Sequence, residues 1–247
     1  MLRPSSEPAR TSVHVRAAAA PGAPVRVGTV DGLLAARRVT HGTGAATVAL
    51  VAQGAVLLGG DHVQVSVEVD DGLALTLLDV GGTVAYDGAG QACRWDVHVR
   101  LGVGARLTWA GLPLVVASGA DVTRTTTVRL AAGSRMLLRE TTVLGRTGER
   151  GGRVVVRSVV HDDDGPVLVE ELTADGAGPV PGILGRHRVL DTLSDLHGTT
   201  ADEDDPPAGS DLQDADLTTL HLERGGTLVR WLGPATHRSP LDRPEEP

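Results

Sequence analysis

Apolar and polar residues alternate with a period of two through most of the middle of the chain. Residues 63–69 carry valine at every odd position and a polar residue at every even one, and residues 95–101 show the same alternation. Residues 122–130 are rich in valine and threonine, whose β-branched side chains favour strands. Such alternation predicts strands with one buried face. About a dozen short strands of this kind, separated by glycine-containing turns, predict an all-β (mainly β) chain with little helix.

Turn residues between these segments predict how the strands connect. Asp71-Gly72 lies between residues 63–69 and the alternating leucines of residues 73–77, which predicts a β-hairpin. A second hairpin is expected around residues 162–165. The segment from residue 182 to residue 195 fits a helix and a strand almost equally, and we expect a strand.

A strand–turn–strand pattern recurs in the middle of the chain. It begins near Val67, Val99 and Val128, at intervals of roughly thirty residues. The recurrence predicts layered antiparallel sheets of stacked hairpins, in an irregular β-solenoid or sandwich-like arrangement. An ordinary β-sandwich remains the alternative, because its tight turns also require glycine.

The ends of the chain and one internal segment lack this alternation. Proline and polar residues interrupt residues 1–10 and 237–247, so we expect both ends to be flexible. Residues 199–214 include an acidic, proline-containing run that is typical of a solvated loop. Residues 11–236 are expected to form a single β domain, since all-β chains of this length often do.

Composition narrows the possible functions. The 247 residues are 41% hydrophobic and 2% aromatic, so the core must be aliphatic. The net charge of −8 and the scattered arginines disfavour nucleic acid and membranes as partners. No apolar run approaches the ~20 residues of a membrane-spanning helix. The single cysteine, Cys93, fits a reducing compartment, so we expect a cytoplasmic protein with a buried, inert thiol.

Catalytic signatures are missing from the sequence. All 23 basic residues are arginine, which removes the P-loop lysine and Schiff-base chemistry. Neither a nucleophile elbow nor a zinc-protease motif occurs. A β-helical carbohydrate hydrolase with paired carboxylates would need aromatic sugar platforms, which this chain hardly offers. We therefore expect no enzymatic activity and no tightly bound cofactor.

Two glycine-rich segments are the most distinctive local features. In Gly59-Gly60-Asp61-His62, the aspartate and the histidine could offer an oxygen and a nitrogen to a divalent metal such as nickel. The same residues fit a turn in which the aspartate bonds its own backbone, and we favour the turn because adjacent strand side chains point to opposite faces. Residues 145–152 contain four glycines with interleaved arginine and glutamate, and fit either a partner contact or a solvent loop.

The ordered set of segments from about residue 45 to residue 241 resembles the urease accessory protein family UreD, also called UreH, in its shorter actinobacterial form. One departure is Gly111-Leu112, which stands where the family often has a Pro-Glu pair. The positions that match the family pattern are Gly59, Gly60, Asp61, Trp109, Pro113, Gly145, Arg146, Gly148 and Glu149.

The resemblance implies a non-enzymatic chaperone of urease maturation. Such proteins are cytoplasmic and act with UreF and the GTPase UreG on urease apoprotein, and the assembly delivers nickel to the urease active site. A metal that is handed over should meet weak oxygen or imidazole ligands, so we predict only transient Ni²⁺ binding. The predicted ligands are Asp61, His62, Glu140 and Glu149. A β-structured protein-binding module without a metal role is the alternative.

Overall fold

The computed structural model describes residues 9–18, 20, 22–179, 182–199 and 217–241. Within these residues the chain forms β-strands, turns and one 3-10 helix, Thr236–Arg238, but no α-helix. In chain order the strands are β1 (Ala9–Arg16), β2 (Arg26–Val30), β3 (Leu34–His41), β4 (Ala45–Ala52), β5 (His62–Val69), β6 (Ala74–Asp79), β7 (Thr83–Ala85), β8 (Cys93–Leu101), β9 (Arg106–Ala110), β10 (Leu114–Val116), β11 (Asp121–Leu130), β12 (Arg135–Leu144), β13 (Arg153–Asp162), β14 (Gly165–Asp175), β15 (Val189–His197), β16 (Leu217–His221) and β17 (Gly226–Gly233).

These strands form two mixed sheets that face each other. In sheet A the strand order is β14-β13-β11-β8-β5-β1-β2, and in sheet B it is β16-β17-β15-β12-β9-β6-β4-β3. The short strands β7 and β10 pair with each other, and β10 also pairs with β12 at the margin of sheet B. The predicted all-β fold is confirmed.

The chain winds between the two sheets as a β-solenoid of about four turns. Each turn adds one strand to each sheet, so β5, β8, β11 and β13 stack in parallel in sheet A. The strands β4, β6, β9 and β12 stack in the same way in sheet B. Val67 pairs with Val99, and Val99 pairs with Val128. The recurrence in the sequence is therefore the period of the solenoid, and the predicted solenoid is confirmed.

The predicted hairpin at Asp71-Gly72 is wrong. Because β5 lies in sheet A and β6 in sheet B, the two strands face each other across the core and do not pair. A hairpin and a turn that crosses between sheets show the same alternation and the same glycine, since each strand buries one face in both cases. Parallel turns of the solenoid replace the expected stack of antiparallel hairpins, and antiparallel pairing is confined to the two ends of each sheet.

Two other predictions about strands are confirmed. β13 and β14 form an antiparallel hairpin around residues 162–165. In the segment of ambiguous pattern from residue 182 to residue 195, a turn covers residues 182–186 and β15 begins at Val189. The expected strand therefore occupies the second half of that segment.

Tight glycine turns stack at one end of the solenoid, where sheet A leads into sheet B. Gly72, Gly104 and Gly133 have φ values of 67°, 65° and 65°, in the left-handed region that favours glycine. The N–H of Gly72 donates to the carbonyl of Val103 at 2.8 Å, and that of Gly104 donates to the carbonyl of Ala132 at 2.9 Å. Backbone hydrogen bonds thus join successive turns, and glycine recurs with the solenoid period.

The core lies between the two sheets and is mainly aliphatic. Trp95 and Trp109 are its aromatic members. Cys93 is buried in the same cluster, and burial raises the pKa of its thiol to about 11. The largest fully buried side chains belong to Leu57, Leu75, Leu77, Leu101, Leu107, Leu130, Met136, Leu196 and Leu228.

Both ends of the described chain are attached to the sheets. β1 begins at Ala9, inside the segment that the sequence predicts to be flexible. Near the C-terminus, Leu241 joins an apolar cluster with Trp231 on the outer face of sheet B. Residues 1–8 and 242–247 of the predicted flexible ends, and the acidic loop beyond Thr199, lie outside the described residues.

Candidate functional site

The inward face of the solenoid changes from apolar to polar along the stack. In β5 every inward residue is valine, whereas from β11 onward charged and hydroxyl side chains take inward positions. Because strand side chains alternate, a polar residue in phase with buried valines must point inward. These inward polar residues are Arg124, Thr126, Glu140, Thr142, Ser158, Glu170, Thr192, Ser194 and Arg230.

An ion pair joins the two sheets inside the solenoid. Nη2 of Arg124 on β11 lies 2.7 Å from Oε1 of Glu140 on β12, and the two side chains are 8% and 10% exposed. The hydroxyl of Thr126 donates a hydrogen bond of 3.0 Å to the same Oε1. The second oxygen of Glu140, Oε2, accepts no hydrogen bond from the described residues. One carboxylate oxygen of Glu140 therefore links the two sheets, and the other is available to bind a ligand.

A second ion pair lies further along the interior. Arg230 on β17 donates to both oxygens of Glu170 on β14, at 2.8 and 2.7 Å. Nε of Arg230 also donates to the hydroxyl of Thr192 at 3.4 Å. Between the two ion pairs the side chains enclose a narrow cavity of about 20 Å³. A cavity of this size holds about one water molecule or a similarly small ion.

A third carboxylate lies at the end of β6, near Arg124. Asp79 accepts hydrogen bonds from the indole of Trp109 at 3.1 Å and from the N–H of Leu112 at 2.9 Å. Burial raises the pKa of Asp79 above its ordinary value, while those two hydrogen bonds and the charge of Arg124 oppose the shift. The Asp79 carboxyl therefore takes up a proton more readily than an exposed aspartate does.

Two buried donors face the interior without an acceptor. Within the part of the chain that the structure describes, Nε of Arg124 and the indole nitrogen of Trp95 have no hydrogen-bond partner. Arg124 and Trp95 are register partners on the neighbouring strands β11 and β8. The two donors therefore lie side by side in successive turns of the solenoid. A buried N–H group without a partner is unfavourable unless water or another acceptor reaches it. The interior beside Arg124 and Trp95 therefore suits water or another hydrogen-bond acceptor.

Asp61 and His62 lie at the opposite end of the solenoid from the tight turns. The Asp61 carboxylate accepts from the N–H of Leu58 at 2.8 Å, and the Asp61 N–H donates to the Leu58 carbonyl at 2.9 Å. These two hydrogen bonds form the turn that the sequence predicts. Nε2 of His62 lies 2.6 Å from a carboxylate oxygen of Asp96, on the outer face of sheet A.

Glu149 holds the loop between β12 and β13. Its Oε1 accepts from the Arg146 guanidinium at 2.8 and 2.5 Å, and its Oε2 accepts from the backbone N–H groups of Arg146 and Ser118 at 3.0 and 3.2 Å. The hydrogen bonds from Arg146 lower the pKa of Glu149 to about 2. Because Ser118 belongs to the preceding turn, Glu149 joins two turns of the solenoid.

The backbone requires the glycines that match the family pattern. A Cβ on Gly59 would lie 2.7 Å from Cα of Gly88 in the next loop, so the loops stack too closely for a side chain. Gly60, Gly145 and Gly148 have φ values of 83°, 73° and 80°. Trp109 points into the core, and the Pro113 carbonyl accepts from the N–H of Thr83 at 3.0 Å.

The four predicted nickel ligands are not brought together. Glu140 points into the interior, whereas Asp61, His62 and Glu149 lie in or beside outer turns. Within the described residues no three His, Cys, Asp or Glu side chains are grouped as a metal site. Whether any of the four binds nickel stays a prediction.

Four of the charged interior residues were not predicted from the sequence. Alternation could have revealed them, because each is in phase with inward apolar residues of its own strand, as Arg124 is with Val122 and Val128. Asp79 is the last residue of β6 and continues the phase of the buried Leu75 and Leu77, so alternation assigns it to the inward face as well. The four residues are Asp79, Arg124, Glu170 and Arg230.

The chain is similar in sequence to known proteins of one family. A family model described as UreD urease accessory protein matches residues 9–239. Urease accessory protein UreD 1 of Streptomyces griseus subsp. griseus is 39% identical over 194 residues, which cover 74% of this chain and 76% of that protein. Urease accessory protein UreD of Streptomyces coelicolor is 38% identical over 211 residues, which cover 83% of this chain and 78% of that protein. The UreD protein of Frankia alni is 42% identical over 110 residues, which cover 44% and 37%.

The fold and the matched family define a non-catalytic accessory protein built as a β-solenoid. None of the described residues forms a helix of the length and apolarity that a membrane crossing requires. The chain belongs to the UreD family of urease accessory proteins, which take part in urease maturation. The resemblance found in the sequence is therefore confirmed.

Proposed function

We propose that this chain is a cytoplasmic chaperone that acts with UreF and UreG to insert nickel into urease apoprotein. Family membership supports the role in maturation. The nickel role rests on one structural observation, the polar interior in which Glu140 keeps a free carboxylate oxygen. Nickel is the cargo of the process, and GTP hydrolysis belongs to UreG.

In this proposal the ion meets carboxylates that bind weakly. Glu140 and Glu170 are each paired with an arginine, so a cation at either carboxylate competes with a guanidinium already in place. This competition keeps affinity low, which a metal that must be released requires. Asp79, near Arg124, supplies a further oxygen ligand on the sheet B side.

The predicted ligands take different roles in the proposal. Glu140 is the ligand that the interior geometry supports, because it combines burial with a free oxygen. Asp61 and Glu149 have hydrogen bonds that explain their positions without a metal, since both hold turns at one end of the solenoid. His62 pairs with Asp96 on the outer face of sheet A, out of phase with the inward valines of β5.

Reconstituted activation of urease tests the proposed function. Urease apoprotein, UreF, UreG, GTP and nickel are incubated with and without this chain, and urease activity is measured. Activity that depends on the chain is expected. Equal activity without it would contradict the chaperone role, and affinity capture of UreF and UreG on the immobilised chain tests the partnership separately.

The alternative function is that of a protein-binding module without a metal role. The separation of the four predicted ligands favours this alternative. It predicts that the chain still binds its partners and supports activation when the interior carboxylates are replaced. Variants of the interior carboxylates therefore distinguish the two functions.

A further inference from the structure

A second, larger cavity lies outside the polar interior. It opens where the β12–β13 loop, the end of β14 and residues 183–188 meet, and its volume is about 280 Å³. Backbone contacts fix its walls, since the Gly176 N–H donates to the Gly152 carbonyl at 3.0 Å and the Leu144 N–H donates to the Arg188 carbonyl at 2.7 Å. The cavity therefore belongs to the folded frame of the protein.

Positive charge dominates the rim of this cavity. Arg150 and Arg186 are exposed, and neither forms an ion pair or a side-chain hydrogen bond within the part of the chain that the structure describes. Arg188 lies in the wall and, among the described residues, donates only to the backbone carbonyls of Gly145 and Arg146, while its buried Nε has no partner there. Three guanidinium groups thus border the cavity, and none of them is bound by a carboxylate of the described chain.

The lining contains two carboxylates, of which Glu149 has both oxygens engaged and Asp175 has one. Glu149 accepts four hydrogen bonds, from the Arg146 side chain and from two backbone N–H groups. One oxygen of Asp175 accepts from the N–H groups of Ala177 and Gly178 at 2.8 and 3.2 Å. Neither forms an ion pair with Arg150, Arg186 or Arg188 within the described residues, and three guanidinium groups against two carboxylates leave the lining positive. The rim is therefore cationic on a chain whose formal net charge is −8.

The floor of the cavity is apolar. Leu144, Ala174 and Leu184 are buried there, and Ile183 is an exposed large hydrophobic residue at the edge. Guanidinium groups bind carboxylates strongly through paired hydrogen bonds, and aliphatic walls bind aliphatic side chains. The ligand that complements both features carries acidic and aliphatic side chains close together.

We propose that this cavity binds an acidic segment of a partner protein, in which leucine-like side chains contact the floor while carboxylates pair with Arg150 and Arg186. A small inorganic anion would satisfy the arginines but leave the apolar floor uncovered. The proposal concerns a surface distinct from the interior carboxylates and does not depend on nickel.

Fluorescence anisotropy with the full chain tests the proposal directly. The probe is a short fluorescein-labelled peptide of alternating leucine and glutamate, and its matched control has glutamine in place of glutamate. The variant Arg150→Glu/Arg186→Glu reverses both free charges. The variant Arg94→Glu/Arg106→Glu makes the same change of net charge at two exposed strand arginines away from the cavity.

The glutamate peptide should bind the unmodified chain about tenfold more tightly than the glutamine peptide, and the cavity variant should lose about that factor. The Arg94→Glu/Arg106→Glu chain should retain binding. No binding by the unmodified chain, or equal losses in both variants, would overturn the proposal. So would an alanine–glutamate peptide that binds equally well and is displaced by inorganic phosphate, because the site would then recognise only an anion. These titrations contain no nickel, UreF or urease, so their failure would leave the proposed function unaffected.

Discussion

Arg124 and Glu140 face each other from opposite sheets, with 2.7 Å between Nη2 and Oε1, and form an ion pair inside the solenoid. Buried ion pairs of this kind contribute little net stability, because the loss of hydration offsets the attraction between the charges. Removal of one partner is costly, since it leaves the other charge buried without compensation. The pair is therefore better explained by a role in the interior than by stability.

Replacement of Arg124 alone should destabilise the fold. Arg124→Met should lower the free energy of unfolding by about 3–5 kcal/mol, because the Glu140 carboxylate loses its partner. The double variant Arg124→Met/Glu140→Leu should recover most of that loss, since both charges are gone. Urea denaturation of the three proteins measures the difference. A double variant as unstable as the single one would contradict this account of the pair.

Close stacking of the loops predicts a penalty at Gly59. In Gly59→Ala the new Cβ would lie 2.7 Å from Cα and 2.8 Å from the carbonyl oxygen of Gly88, so the backbone must shift. A loss of about 1–3 kcal/mol is expected from such overpacking. Gly54→Ala is the matched control, because no atom lies within 4 Å of its Cβ position. Thermal unfolding should separate the two variants, and equal melting temperatures would show that the loops can relax.

Variants of Asp61 test whether its carboxylate only stabilises a turn or also binds nickel. If the carboxylate only accepts the Leu58 N–H, Asp61→Asn keeps the acceptor oxygen and should be close to the unmodified chain in stability and in urease activation. Asp61→Ala removes the acceptor and should cost about 1 kcal/mol. If both variants fold and both lose activation, the charge of Asp61 matters and the nickel-ligand prediction gains support over the turn role alone.

The pKa of Glu149 predicts a pH dependence. Its value is about 2 in the folded chain, against an ordinary value of 4.5, so the folded state favours the ionised form. The stabilisation is fully present above the ordinary value and declines as the pH falls toward about 2, because the unfolded state binds the proton first. The difference in free energy of unfolding between the unmodified chain and Glu149→Gln should therefore be constant above about pH 5 and shrink below it. A difference that does not change with pH would contradict this assignment.

Alternation and turn residues predicted much of the fold but could not decide how the strands pair. The repeats at Val67, Val99 and Val128 are the solenoid period because inward residues must match in every turn. The sequence could not predict which strands pair, because Asp71-Gly72 suits a hairpin and a turn that crosses between the sheets equally well. The interior site was partly found, through Glu140. Arg230 and Glu170 meet from strands that are distant in sequence, and only the folded chain shows that contact.

Urease activation by interior variants tests the nickel proposal most directly. The assay uses apo-urease, UreF, UreG, GTP and nickel with the unmodified chain, Arg124→Met/Glu140→Leu, Glu170→Gln or Glu171→Gln. Glu171 neighbours Glu170 on β14 but pairs with Arg157 on the exposed face, so Glu171→Gln is the control. We predict that the folded double variant and Glu170→Gln lose about tenfold or more of the activity recovered, as is typical when groups around a metal are removed, while Glu171→Gln retains it. Full activation by the folded double variant and by Glu170→Gln would contradict the proposal that nickel passes these carboxylates.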